Sequence, residues 1–472
     1  MSTRLTRRQL ATATIAQAAL QTPNPPPNIL LILSDDHSAP FLGAYGYPIK
    51  TPNLDRFGSQ GMLFHRCFTA APQCVPSRTA ILTGRSPVSA RMGRFSSPLP
   101  PDIVTLPELL RQKGYFTGIC RRTFHLDGPG NPGPVSKGIF DRHHIRTFQN
   151  RVDFLDRNSP PTQTTAKIKE FLDKCPKGKP FFLWVNFNDP HHVWDSNAIS
   201  EPHDPAKLKV PAQLPELPGV REDLRRYCDE ISRMDGEFQS VLDILDERGL
   251  AQNTIVVFMG DNGMAFPHGK GSLYDPGLNV PLLVRWPGKI KPGASSRDLI
   301  SGEDITPTLL DAAGIAPAKG MSGRSFLPAL RGQSYQSRPH VFAARLYHGN
   351  SPFSDATKAN QFDLSRAVRT NRYKLIYNCT PKMEYWPVDS GNDPGWQQIL
   401  RAHSAGKLSP EHERAYFGPR PVFELYDLEK DPAELHNLAG RAELASIERD
   451  LKVALQEKMI LDYDYLPLPT AE

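Results

Sequence analysis

Short unbroken apolar runs alternate with helical patterns through about the first 310 residues. Asn28–Ser34 reads NILLILS, too short for most helices and apolar at consecutive positions, the pattern of a strand buried on both faces. Tyr115–Cys120, Phe181–Phe187, Thr254–Met259 and Val280–Arg285 read the same way. Between them, Thr105-Leu106-Pro107-Glu108 forms a capping box with proline near the helix start, and Gly114 stops that helix. Leu224, Tyr227, Ile231, Met234, Phe238, Val241 and Leu245 keep helical spacing until Gly249 ends the run. Strands alternating with helices predict an α/β fold, with a mostly parallel central sheet covered by helices on both faces.

From about Pro339 the pattern changes. Ser365–Asn378 (SRAVRTNRYKLIYN) predicts a hairpin turning at Asn371-Arg372, Glu424–Asp427 a further short strand, and Ala442–Lys458 an amphipathic terminal helix. Hairpins followed by a helix predict a small C-terminal α+β domain with an antiparallel sheet. The expected division is 1–27 as signal and linker, 28–338 as the catalytic domain and 339–472 as the smaller one.

Composition changes this picture little. At 39% hydrophobic and 22% charged the chain is ordinary for a globular protein, and +6 is far from the dense basic stripes of a nucleic-acid binder. No run of eighteen apolar residues occurs, so no membrane span is expected. The N-terminus adds more. Thr6-Arg7-Arg8-Gln9-Leu10, a weakly apolar run over Ala11–Leu20 and the small-x-small Ala16-Gln17-Ala18 predict a twin-arginine export signal, hence a periplasmic or secreted protein. The plainer reading is a basic tail. Pro23–Pro27 then makes a stiff linker. The six cysteines are scattered without C-x-x-C spacing, which is neither a zinc nor a redox pattern.

In open parallel sheets, ligands bind at the C-terminal ends of the strands. Three predicted strands end there in polar clusters: Asp35-Asp36-His37, Asp261-Asn262-Gly263 and Asn186 through His192. Adjacent carboxylates repel unless a cation is shared, and three aspartates with an asparagine oxygen make a hard set suited to Ca²⁺ or Mg²⁺. The competing reading is a loop cap at Asp35-Asp36 and an ordinary N-G turn at Asn262-Gly263. Cys74-Val75-Pro76-Ser77-Arg78 begins a predicted helix ending at Gly84, which puts Cys74 at a helix N-terminus where an anion is favoured. A plain cysteine there would be an acidic nucleophile, or else a structural thiol.

The C-x-P-S-R element with the following Thr83-Gly84-Arg85 resembles the sulfatase signature, and the resemblance runs along nearly the whole chain. It includes Asp35-Asp36, Thr51-Pro52-Asn53-Leu54-Asp55, Asp189-Pro190-His191, Asp261-Asn262-Gly263 and Leu425-Tyr426-Asp427-Leu428. It implies an alkaline phosphatase-like fold and maturation of Cys74 to formylglycine by a formylglycine-generating enzyme. It also implies calcium ligands at Asp35, Asp36, Asp261 and Asn262, with the matured Cys74 beside them in the metal site. Arg78 would hold the oxygen of the aldehyde hydrate, the nucleophile of the family. His125 matches the histidine that takes a proton from its second hydroxyl, and His191 and Lys270 would contact the scissile sulfate. The implied partner is a sulfated carbohydrate. The stretches Asp261–Val284 and Arg366–Tyr385 look most like the heparan sulfamidase branch. One departure stands out: the family's Lys-x-His reads Thr123-Phe124-His125 here, so either Arg121 or Arg122 supplies the cation or the site is altered. A phosphodiesterase or phosphonate monoester hydrolase of the same superfamily, and a non-catalytic glycan-binding relative, are the competing readings.

Overall fold

The computed structural model describes residues 25–93, 98–126, 134–157, 159–348 and 363–470. The predicted export signal over Thr6–Leu20 lies outside the described residues. No described helix is long and apolar enough to cross a membrane.

Strand β1 (Asn28–Ser34) is the axis of a nine-stranded sheet. The others are β2 (Met62–Phe68), β3 (Phe116–Cys120), β4 (Phe154–Asp156), β5 (Phe181–Asn186), β6 (Thr254–Gly260), β7 (Asn279–Arg285), β8 (Ala294–Ser296) and β9 (Ile300–Ser301). Their order is β4-β3-β5-β1-β6-β7-β2-β8, with β9 on β2. Every pairing is parallel except those of β7, which runs against both β6 and β2. The sheet is thus mostly parallel, as the apolar runs predict. Strands β2 and β4 carry no clean apolar run: β2 (MLFHRCF) places His65 and Arg66 mid-strand, and β4 is three residues long.

Both faces of β1 are covered. Leu30 and Ile32 join a core with Tyr227, Ile231 and Phe238 of the long helix Pro218–Glu247. Ile29, Leu31 and Leu33 join a second core with Ile81 and Leu82 of the helix Cys74–Thr83. Each such side chain contributes about 1.5–3 kcal/mol on burial, so a two-faced strand pins the centre of the fold. Register then sets the site. Leu33 lies beside Asn186 of β5 and Ser34 beside Gly260 of β6, so the residues that follow emerge side by side at one edge.

The remaining strands β10 (Val341–Arg345), β11 (Ser365–Arg369), β12 (Tyr373–Asn378) and β13 (Phe423–Asp427) form a separate antiparallel sheet in sequence order. The predicted hairpin is β11–β12, closed by the Thr370 amide on the Tyr373 carbonyl at 2.8 Å. The helix Ala445–Leu461 buries Leu451, Leu455 and Met459 against this sheet. Between β12 and β13 the chain returns to the first sheet's layers: Trp396, Ile399 and Tyr416 enter the core around the helix Pro218–Glu247. A buried ion cluster also joins the two parts, with Lys374 2.6 Å from Asp275 and 2.7 Å from Glu434.

Candidate active site

At the end of β1 the chain turns sharply at Asp36, whose φ of 64° lies in the left-handed region that Asp tolerates better than most residues. The consecutive carboxylates of Asp35 and Asp36 therefore converge with that of Asp261, the first residue beyond β6, and their oxygens lie within 4.8 Å of one another, all buried. Asp261 Oδ1 accepts from the amides of Asp36 (3.0 Å) and Asn262 (2.7 Å). Asn262 Nδ2 donates to Asp36 Oδ1 at 2.8 Å, while Asn262 Oδ1 is buried with no hydrogen-bond partner. Gly263 is required by close approach rather than by a turn: a Cβ there would lie 1.9 Å from the Pro276 carbonyl oxygen.

Cys74 is the first residue of its helix, fully buried, with Sγ 3.4 Å from Asp35 Oδ1 and 3.9 Å from Asp36 Oδ1. Burial and the Asp35 carboxylate push its thiol well above the ordinary range, so the acid thiol expected from the helix N-terminus is not what this environment makes. One turn on, Arg78 is clamped on three sides: Nε to Asp261 at 2.9 Å, Nη2 to Asp35 at 3.1 Å and Nη1 to Asn186 at 2.6 Å. Ser77 donates to the Asp261 carbonyl at 2.5 Å, binding the helix start to the end of β6.

Three more groups close the site. His125 Nδ1 lies 3.2 Å from Asp35 Oδ2, and burial together with Arg122 pushes its ring well below the usual imidazole range. Lys270 is buried, not solvent-facing, with Nζ 2.9 Å from Asp36 and 3.4 Å from His191 Nε2. His191 is the most open of the set, a quarter exposed, and burial with Lys270 lowers it to about 3. Burial raises Asp36 to about 6 against the pull of Lys270, and burial with Asp35 raises Asp261 to about 7. Burial also acts upward on Asp35, but Arg122 and Arg78 hold it well below its usual range.

The two arginines before Thr123 part company. Arg122 Nε sits 2.5 Å from Asp35 Oδ2, inside the site. Arg121 turns away to Glu237 and Thr164, each at 2.6 Å, and to Asn188 at 2.7 Å. The divergence does not come from strand alternation, since both residues have positive φ (67° and 46°) beyond the end of β3. Thr123 itself donates to the Arg157 carbonyl.

All the sequence-selected residues, Asp35, Asp36, Cys74, Arg78, His125, His191, Asp261, Asn262 and Lys270, thus meet in one place. Sequence reasoning missed Asp389, whose Oδ2 is 2.6 Å from Lys270 Nζ and whose carboxyl lies 3.8 Å from His348. It missed Gln73, which fastens the chain after β10 by donating to the Leu346 and Tyr347 carbonyls. Neither lies in a motif or periodic pattern that could have signalled it. Among the other clustered polar residues, His37 is a core group, bonded to Ser34 and the Phe41 carbonyl.

The family described as Sulfatase matches residues 27–315, and the one described as N-sulphoglucosamine sulphohydrolase, C-terminal, matches 266–408. An ulvan-active sulfatase of Formosa agariphila is 30% identical over 94% of this chain and 77% of its own length. The N-sulphoglucosamine sulphohydrolase of Homo sapiens is 30% identical over 89% of this chain and 88% of its own. A solved structure in complex with D-glucosamine-2-N,6-O-disulfate superposes with a TM-score of 0.69 at 19% identity, covering 93% of this chain and 99% of that one, a likeness of fold.

Proposed function

Because the chain belongs to the sulfatase family, we propose that it releases sulfate from a sulfated sugar, with Cys74, matured to formylglycine, as the reacting residue. It is a sulfuric ester hydrolase of a family that acts on sulfated glycans. The observation that carries the reading is the place of Cys74: first in a buried helix, 3.4 Å from Asp35, among three carboxylates and the cations Arg78, Arg122 and Lys270.

The residues present fit a divalent ion. Buried carboxylates of Asp35, Asp36 and Asp261, with the partnerless Oδ1 of Asn262, make an all-oxygen set for a hard cation, Ca²⁺ in preference to Mg²⁺, beside Cys74. Such an ion withdraws charge from a sulfate oxygen, and a hydrated aldehyde at Cys74 supplies an oxygen nucleophile. Arg78, fixed by three oxygens, is a preorganised donor needing no reorganisation as charge develops. His125 Nδ1 is engaged by Asp35 at 3.2 Å and Arg122 at 3.4 Å, which makes Nε2 the atom proposed to take a proton. His191 Nδ1 is bonded to the His192 carbonyl, so its Nε2 accepts, and Lys270 is the donor on the leaving-group side.

For the sugar we take a heparan-type unit, supported by the likeness to the human sulphohydrolase. The twin-arginine segment supports a periplasmic or secreted location, with maturation by a formylglycine-generating enzyme before export. Residues 28–338 form the proposed catalytic domain, and 339–472 the smaller one that lends it Asp389. The test is peptide mass spectrometry of active protein together with sulfate release from a panel of sulfated mono- and disaccharides. Formylglycine at position 74 and a folded, inactive Cys74→Ala are expected. Full activity with an unmodified thiol refutes the assignment.

A further inference from the structure

A cavity of about 630 Å³ begins at Arg122 and His191 and runs outward between the chain after β5 and the helix Pro218–Glu247. It is the space beside the leaving-group side of the site, so its wall meets whatever the sulfate departs from. That wall carries Asp189, Asp195, Glu230 and Glu237 against the cations Arg122 and Arg233, with the His192 imidazole already paired to Asp393 at 2.8 Å.

Neither cation is available to an anion carried on the leaving group. Arg122 directs its Nε to Asp35, toward the sulfate side of the site. Arg233 is enclosed by carboxylates: Nε and Nη2 meet Asp189 at 2.7 and 2.9 Å, Nη1 meets Asp195 at 2.5 Å, and Nη2 meets Glu230 at 3.3 Å. A guanidinium whose fork is already filled by one carboxylate, and which is flanked by a second and by the Glu230 carboxyl, has no bidentate face left for a sulfate or a uronate. Glu237 is engaged with Arg121. Glu230, which burial and the neighbouring Asp189 raise to about 8, adds a polar group rather than a full charge near neutral pH. Asp195 keeps an open face, with its side chain 60% exposed. What the cavity offers, then, is carboxylate acceptors without a receptive cation.

Resting on the reaction proposed above, we propose that this cavity selects a leaving group presenting hydroxyl or ammonium donors and rejects one bearing a second sulfate or a carboxylate. The selection is by repulsion: an anion placed here displaces no counter-ion and faces carboxylates whose partners are already satisfied. A like-charge contact of this kind lowers kcat/KM by about ten- to a hundredfold at a partly exposed site.

The experiment pairs the best monosulfated monosaccharide with the same sugar carrying a second sulfate, and compares kcat/KM. The wild type is expected to favour the monosulfated sugar by about tenfold or more. Asp195→Asn is expected to narrow that ratio and Asp195→Lys to narrow it further, because each also releases part of the Arg233 fork. Equal or better turnover of the disulfated sugar by the wild type, or an unchanged ratio in both variants, overturns the proposal. Calorimetry with sulfate-free probes separates this from the reaction itself: glucosamine should bind more tightly than glucuronate. If no sugar releases sulfate, the reaction assignment falls, while the selectivity still stands or falls on that binding order.

Discussion

Removing the Arg122 side chain should slow the enzyme while leaving it folded, and removing its neighbour Arg121 should do the reverse. Arg122 Nε lies 2.5 Å from Asp35 Oδ2, in a site with little water to screen it. A charge pair at about 4 Å is worth about 4 kcal/mol at an effective permittivity of about 20, before sharing. Asp35 is shared with Arg78 and His125, so somewhat more than half of that is assigned to Arg122. Losing about 2–3 kcal/mol of transition-state stabilisation where an anion reacts lowers kcat by about 30- to 160-fold. Arg121→Ala instead strips Glu237 of its ion pair at a nearly buried joint, a loss of about 3–5 kcal/mol in stability. Steady-state kinetics on the best sugar substrate, with thermal melts and metal analysis of each variant, separate the two. Arg122→Lys should recover part of the rate, because charge returns without the forked donors. Wild-type turnover in folded Arg122→Ala would refute the view that this arginine stands in for the lysine replaced by Thr123.

Two further outcomes are expected. Asp261→Ala should lose bound divalent metal and nearly all turnover, since Asp261 also braces Arg78 and the Asp36 amide; full activity after exhaustive chelation refutes the metal site. Asp223, buried where the helix Pro218–Glu247 meets the helix Pro394–Ser404, accepts from the Gly395 amide at 2.7 Å, and burial raises its carboxyl to about 7. A raised folded value means its stabilisation is complete below its ordinary 3.8 and is lost as pH rises through about 7. Melting temperature should therefore fall across that window, and Asp223→Asn should flatten the fall; an identical pH slope in the variant rules the group out.

The parts of the site legible in the sequence are those that follow directly from a buried strand or begin a helix. NILLILS reads as a two-faced strand, and once β1 lies between β5 and β6 their trailing polar residues must emerge together, which is why Asp35, Asp36, Asp261 and Asn262 could be named in advance. Strands β2 and β4 were not legible for the opposite reason: with His65 and Arg66 within one and three residues in the other, neither shows the apolar run by which a strand declares itself. Resemblance contributed the roles of His125, His191 and Lys270. None of these follows from local pattern: a histidine in an Asp-Pro-His turn reads as structural, and a lysine between two glycines ordinarily faces water.

Asp389 shows where pattern gives out altogether. It sits in a stretch without regular structure, after β12 and before the helix Pro394–Ser404, and no local spacing marks it. Its place is fixed at a distance: Trp396 and Ile399 dock that helix on the helix Pro218–Glu247, and the preceding loop is thereby brought against Lys270. The apolar residues that dock the helix carry periodic information, but the acid they deliver does not. A boundary drawn near residue 339 from chain texture therefore marks a change in local pattern, whereas the site is assembled across it. The same logic holds for Arg122, whose direction is set by two consecutive left-handed residues rather than by a strand's alternation. Side-chain choices of this kind are settled by tertiary packing, and no reading of spacing alone reaches them.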